Sequence, residues 1–216
     1  MSLPILYSCR RCPYAMRARA ALIAASITVE LREVELRNKP AAMLSASLKG
    51  SVPVLLLPNR QVIDESWDIM LWALRQRDPL AWSGKDGCHI EAALPLVIEN
   101  DTEFKSNLDR YKYPDRFPEH PQSAYRSACE RFLLQLEQRL RATPFLLGAN
   151  FTLADIALLP FVRQFAAVDS AWFANAPYPA LLAWLEKFTS SELFLMVMRK
   201  FPVWRPGNEP VTFGND

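Results

Sequence analysis

The 216-residue chain is predicted to combine an α/β domain with a following all-α domain. Three observations carry that expectation. Apolar periodicity switches between two and about 3.6 residues through the first third of the chain. Strand-like patterns stop after Asp78-Pro79. Helical patterns then fill the rest, punctuated by prolines, which number 17 against 6 glycines and suit helix starts and stops.

The elements follow in order. Residues 3–7, "LPILY", form a short apolar run that reads as a strand. Pro13 opens an Ala-, Leu- and Arg-rich helical stretch to about Ser26. "VELREVEL" (29–36) alternates, with Val29, Leu31, Val34 and Leu36 apolar, and reads as a strand. Residues 41–49 suit a short helix; "VPVLLL" (52–57) and "QVID" (61–64) flank the turn "PNR" as a hairpin. "SWDIMLWALRQR" (66–77) has helical spacing. The order β-α-β-α-β-β-α is the thioredoxin-like arrangement. Residues 1–78 therefore read as a thioredoxin-like domain and 79–87 as a linker. Residues 88–200 read as an all-helical domain and 201–216 as an irregular tail. Helices are expected at 89–107, 122–142, 152–168, 178–189 and 191–200, with a long Tyr/Pro loop at 108–121. "FTLADI" (151–156) places Thr152 at an N-cap, Asp155 at N3 and Phe151 and Ile156 as a hydrophobic staple. That box starts a buried helix and carries no chemistry.

Composition excludes several classes. A formal charge of +2 and a pI near 8.4 are too mild for a nucleic-acid binder. No apolar run is long enough to span a bilayer, so no membrane association is expected. "MSLPILYSC" lacks a basic start and a long apolar stretch, so no signal peptide is expected. Four cysteines in a chain of this length are not a disulfide framework. A cytoplasmic protein with reduced thiols is the expectation.

The chemistry concentrates in "SCRRCPYAMRAR" (8–19). A structural zinc site needs four ligands, commonly two close pairs. After Cys9 and Cys12 the chain offers only Cys88, His89, His120 and Cys129, with no second CxxC, so no metal site is expected. In the usual redox dithiol the first Cys opens the helix. Here Pro13 follows the second, so Cys12 takes the N-terminal position and Cys9 lies on the loop behind it. The place of a resolving Cys, three residues after Cys12, is Ala15. A Cys9–Cys12 bond is sterically conceivable, but Cys12 reads as a monothiol. A thiolate there meets free N–H groups and the positive end of the helix dipole, an environment that lowers a thiol pKa from about 8.5 to roughly 3.5–7.5. Arg10 and Arg11 add positive charge if they point inward. The bland alternative is a buried, inert cysteine. A residue that opens a helix rather than sitting inside one argues against it.

Five motifs in order resemble the cytosolic glutathione transferases, closest to omega-class and related bacterial enzymes, over nearly the whole chain. They are "CPYA" with Arg17, "LRNKP" (36–40), "SVPVL" (51–55), "DES" (64–66) and the box at Thr152–Asp155. The resemblance implies the glutathione transferase fold, with Cys12 as the catalytic residue and a cis bond before Pro53. Pro13, Lys39, Val52, Pro53, Glu65 and Ser66 would bind glutathione, the cosubstrate. The ligand's groups suit these residues. Val52, ahead of a proline, can pair its backbone with an extended peptide. Ser66 offers hydroxyl and amide to a carboxylate at a helix start. Glu65 can meet the ammonium and Lys39 the glycyl carboxylate. Singly, each could be a plain cap or a solvated charge. Cys9 is outside the omega pattern, a redox partner or an accident.

The implied function is glutathione-dependent thiol transfer or reduction, of thioltransferase or dehydroascorbate-reductase type. Cys12 would form a mixed disulfide with glutathione. The rivals are a conventional transferase conjugating electrophiles and a non-catalytic binding or regulatory protein of the same fold. A small electrophilic or disulfide substrate would lie between the domains under the 108–121 loop. Tyr14, Tyr111 and Tyr113 are the candidates there, with ordinary aromatic packing as the alternative. The resemblance also implies a homodimer.

Overall fold

Strand β1 (Ile5–Ser8) is the centre of a five-stranded sheet. The computed structural model describes residues 2–214. Helix α1 (Pro13–Ala24) follows, then β2 (Val29–Glu33), which pairs parallel to β1 with Ile5 opposite Glu30. After α2 (Ala41–Ala46), β3 (Val54–Leu56) pairs antiparallel to β1, and β4 (Val62–Ile63) antiparallel to β3. Helix α3 (Ser66–Gln76) closes the run. The expected β-α-β-α-β-β-α order is present. β1 reads as a continuous apolar run because it is central and covered on both faces; Leu6 and Tyr7 are both buried.

Helix α1 is buried nearly all round. Ala15, Ala18, Ala20 and Ala21 let neighbouring elements approach closely, and Tyr14 alone in the helix escapes full burial. α1 packs against α3 and against a helix from the end of the chain, α10 (Glu192–Val197). A fifth strand, β5 (Thr212–Phe213), pairs antiparallel to β2, and the sheet order is β4-β3-β1-β2-β5. These two elements correct the sequence expectation. Contacts divide the chain into one unit that runs to Leu80 and resumes at Ser191, and a second unit, Ala81–Ser190. Residues 191–200 thus leave the helical domain, and the tail expected to be irregular supplies a strand. The cause is the exposed edge of β2, whose unpaired backbone groups a returning segment satisfies: Leu31 N–H donates to the Val211 carbonyl at 2.7 Å. Two residues are too short to show a period.

The second unit is helical. It contains α4 (Cys88–Glu99), a π-helical segment Asn100–Phe104, α5 (Lys105–Lys112), α6 (Gln122–Ala142), α7 (Leu153–Ala166), α8 (Ser170–Asn175) and α9 (Pro179–Thr189). The loop expected at 108–121 is shorter, because helix continues to Lys112 and Pro114–Arg116 form a 3-10 turn. Tyr and Arg side chains there are amphipathic enough to pack helically. α8 was not expected; Asp169 caps it by accepting from the Trp172 N–H at 2.9 Å. Most of the expected 79–87 linker belongs to this unit: Lys85–Gly87 form a 3-10 turn, and the Trp82 carbonyl accepts from Leu153 N–H at 3.3 Å.

The Thr152 box forms as read. Thr152 Oγ1 accepts from Ala154 N–H, and Asp155 Oδ2 accepts from Thr152 N–H at 2.9 Å. Asp155 Oδ1 also accepts from Leu146 N–H and from the Trp184 indole, at 3.0 and 2.9 Å. Burial still holds its carboxyl above the ordinary value. Among the described residues no helix is long and apolar enough to cross a membrane.

Candidate active site

Cys12 is the N-cap of α1, in extended conformation, with Pro13 at N1. Proline suits N1 because its missing N–H needs no partner there and its φ is already helical. The Cys12 side chain makes no capping hydrogen bond, and its sulfur stands at the positive end of the helix dipole. Cys12 Sγ lies 3.7 Å from the Val52 carbonyl oxygen. Val52 and Val54 belong to a buried cluster with Tyr7, Ala15, Val34 and Met43, against which both Cys9 and Cys12 pack. The Val52–Pro53 peptide bond is cis.

The turn before α1 is anchored by charge. Cys12 N–H donates to the Cys9 carbonyl at 3.0 Å across Arg10 and Arg11. Arg10 N–H donates to Glu33 Oε1 at 2.7 Å, and Arg19 reaches the other oxygen of Glu33. Arg19, fully buried, also donates to Ser8 Oγ at 2.7 Å and to the Val197 carbonyl at 3.3 Å. Burial pushes its guanidinium below the ordinary value and Glu33 opposes that. Arg11 is exposed.

A second helix start lies close in the same unit. Ser66, the first residue of α3, is buried and its Oγ accepts from Arg17 Nε at 3.0 Å. Arg17 occupies an acceptor site of that hydroxyl, so its hydrogen can be donated elsewhere. The same guanidinium lies over the Tyr14 ring at 5.2 Å. Arg17 thereby ties the start of α3 to the helix that Cys12 opens. Glu65, the N-cap of α3, is exposed and pairs with Lys49, which also meets Asp64 at 3.0 Å. Ser47 Oγ donates to Asp64 Oδ2 at 2.6 Å. That bond first, and Lys49 second, hold the Asp64 carboxyl below the ordinary value. Lys39 is exposed, with Nζ 3.9 Å from where a Cβ on Gly50 would stand, two residues before Val52.

The expected residues Cys12, Pro13, Val52, Pro53, Glu65 and Ser66 thus line two helix starts and one loop of a single unit. Sequence reasoning missed Ser47, Lys49 and Asp64, whose only signal was the acidic pair beside Ser66. It also missed that Arg17 and Arg19 are buried. The tyrosines are less uniform. Tyr14 is half-buried on α1. In the second unit Tyr111 is buried against Phe165 at 5.2 Å, which makes it a packing residue, and burial raises its hydroxyl pKa. Tyr113 is exposed between Lys112 and Arg116.

The N-terminal-domain model of the glutathione S-transferases matches residues 11–76, and the C-terminal-domain model matches 106–187. The chain belongs to the cytosolic glutathione transferase superfamily and has its fold. It is 26% identical to glutathione S-transferase U19 of Arabidopsis thaliana over 193 residues, 83% of this chain and 82% of that one. It is 25% identical to glutathione S-transferase omega-1 of Rattus norvegicus over 166 residues, 76% of this chain and 68% of that one. A glutathione transferase family member from Pseudomonas fluorescens, solved with two glutathione bound, superposes with a TM-score of 0.77 at 19% identity, covering 91% of this chain and 92% of that chain.

Proposed function

We propose that this chain is a glutathione-dependent thiol transferase whose nucleophile is Cys12. The observation that carries the reading is a cysteine, half-exposed, at the N-cap of a helix, where its side chain makes no capping hydrogen bond. The dipole and first-turn amides favour a thiolate over a thiol there. Glutathione is the cosubstrate, as expected for the family and as bound in the Pseudomonas fluorescens relative. Its extended backbone pairs with Val52, whose N–H has no partner among the described residues. Its γ-glutamyl carboxylate takes the Ser66 hydroxyl and the α3 amides, and Glu65 takes the ammonium in exchange for Lys49. Lys39 meets the glycyl carboxylate. Cys12 thiolate attacks the glutathione sulfur of a mixed disulfide, forms Cys12–S–S–glutathione and releases the substrate thiolate. A second glutathione regenerates the thiol and leaves as glutathione disulfide.

A cysteine at the helix start favours this reading over aryl conjugation, because a thiolate attacks disulfide sulfur directly. A conjugating site needs a hydroxyl donor to a glutathione thiolate; a thiolate cannot donate. The test is mixed-disulfide reduction with Cys12→Ser and Cys12→Ala. Retained reduction in both would overturn the nucleophile assignment. The family expectation of a homodimer extends the proposal: light scattering should exceed the 24.6 kDa of one chain, and a monomer would remove it.

A further inference from the structure

We infer that Cys9 is a resolving thiol for Cys12: the Cys9–Cys12 turn closes to a disulfide and discharges glutathione from Cys12. The inference rests on the nucleophile role proposed for Cys12, and goes beyond it by making the site a dithiol one. The arrangement reverses the usual dithiol order. A resolving thiol normally sits inside the helix, three residues after the nucleophile, and that place is Ala15, buried and inert. Here the second thiol precedes the helix.

Geometry carries the case. The Cys12 N–H bond to the Cys9 carbonyl closes a four-residue turn, which holds the terminal Cα atoms within about 7 Å. Disulfides need Cα separations of about 4.4–6.8 Å. Both side chains pack against the same buried cluster. Neither is sealed: each cysteine is half-buried, and neither is in a disulfide. The backbone between them is fixed by Arg10 N–H on Glu33, itself held by Arg19, so side-chain rotation supplies the approach. The buried Arg19 guanidinium lies within electrostatic reach of the Cys9 sulfur. The remaining cysteines lack these features. Cys129 is fully buried with its thiol pushed up to about 12, and Cys88 opens a helix of the other unit.

The chemistry balances. Cys9 thiolate attacks Cys12 Sγ of the Cys12–S–S–glutathione adduct; the Sγ–S bond breaks, glutathione leaves as thiolate and takes a proton from water. The Cys9–Cys12 disulfide then accepts two electrons from two glutathione molecules, which leave as glutathione disulfide. Glutathionylated enzyme is therefore short-lived.

The experiment exposes the reduced wild type, Cys9→Ser and Cys9→Ala to limiting glutathione disulfide and reads intact mass over time. Wild type is expected to lose two hydrogens and carry no glutathionyl group. Both variants are expected to stay heavier by one glutathionyl group. Trypsin cuts after Arg10 and Arg11, so the Cys9 and Cys12 peptides of oxidised wild type should remain joined only by the disulfide and separate on reduction. A persistent adduct on wild type, with Cys9 still alkylatable, overturns the inference and leaves Cys12 as a monothiol nucleophile. No adduct on any of the three proteins, with no joined peptides, overturns the nucleophile role as well.

Discussion

Two helix starts in this chain use the same backbone problem in opposite ways. At α7 the orphan amides are satisfied by side chains: Thr152 and Asp155 cap each other, and Asp155 further gathers Leu146 N–H and the Trp184 indole. At α1 the N-cap side chain makes no capping hydrogen bond, and it is a half-exposed sulfur. Buried polar groups that are fully partnered stabilise one packing arrangement. A helix end left without a cap keeps its field for an anion, whether a thiolate or a ligand. The first is architecture and the second is chemistry.

The contrast is broken most sharply at Cys12. Cys12→Ser supplies a hydroxyl donor and removes the nucleophile. Mixed-disulfide reduction should fall by at least about a hundredfold, while conjugation of an aryl halide stays equal or rises. Steady-state kinetics on both substrates decides it. Loss of both activities together would mean one covalent mechanism serves both. Urea unfolding of this variant should stay close to wild type, because a serine hydroxyl can keep the contact with the Val52 carbonyl.

The converse change is Asp155→Ala. It strands the N–H groups of Leu146 and Thr152 and the Trp184 indole in a dry interior. Each stranded group costs about 1–3 kcal/mol, and partial relaxation leaves a net loss of about 3–5 kcal/mol. Denaturant midpoints measure it. Thiol transfer per folded molecule should be unchanged; if it fell as far as in Cys12→Ser, the division between architecture and chemistry would fail.

How much of this is legible in the sequence follows the same division. Residues 122–142 read as one helix, and α6 spans Gln122–Ala142, because twenty-one residues show many turns of one period. The Thr152 box is local, so four letters reveal it. The motifs around Cys12 and Val52-Pro53 are local in the same sense. Arg17 and Arg19 are different. A charged residue on a helix is expected in water, yet their partners, Ser66 and Glu33, lie 49 and 14 positions away. No window over the helix contains them. β5 and α10 were misplaced for the same reason: what seats them is the edge of β2 and the surface of α1, which come from the other end of the chain.

The start of α3 refines the comparison, since it mixes both uses. Ser66→Ala should weaken glutathione binding by about 1–3 kcal/mol, for the hydroxyl is buried and its donor is lost to the ligand. Glu65→Ala should cost less, about 0.2–1 kcal/mol, because Glu65 is exposed and exchanges one cation, Lys49, for another. Isothermal calorimetry on both variants tests the order. Equal affinity to wild type in both would move the γ-glutamyl site elsewhere.

The last test concerns Asp64, the hidden member of the same corner, where the effect is on stability alone. Its carboxyl sits below the ordinary value, chiefly through the Ser47 hydroxyl and then Lys49. A depressed folded value means that the unfolded chain binds the proton more readily. The stabilisation is therefore fully present above the ordinary carboxylate range, and is lost as pH falls through the lower, folded value. Ser47→Ala removes the leading cause. At neutral pH the variant should be less stable by about 0.5–1.5 kcal/mol, the usual worth of such a hydrogen bond. As the pH falls below the carboxylate range the two proteins should converge, because a protonated Asp64 no longer gains from an ionic acceptor. Urea unfolding at a series of pH values reads this directly. A difference that stays constant with pH would assign Ser47 a packing role alone, and would leave Lys49 as the group that holds Asp64 ionised.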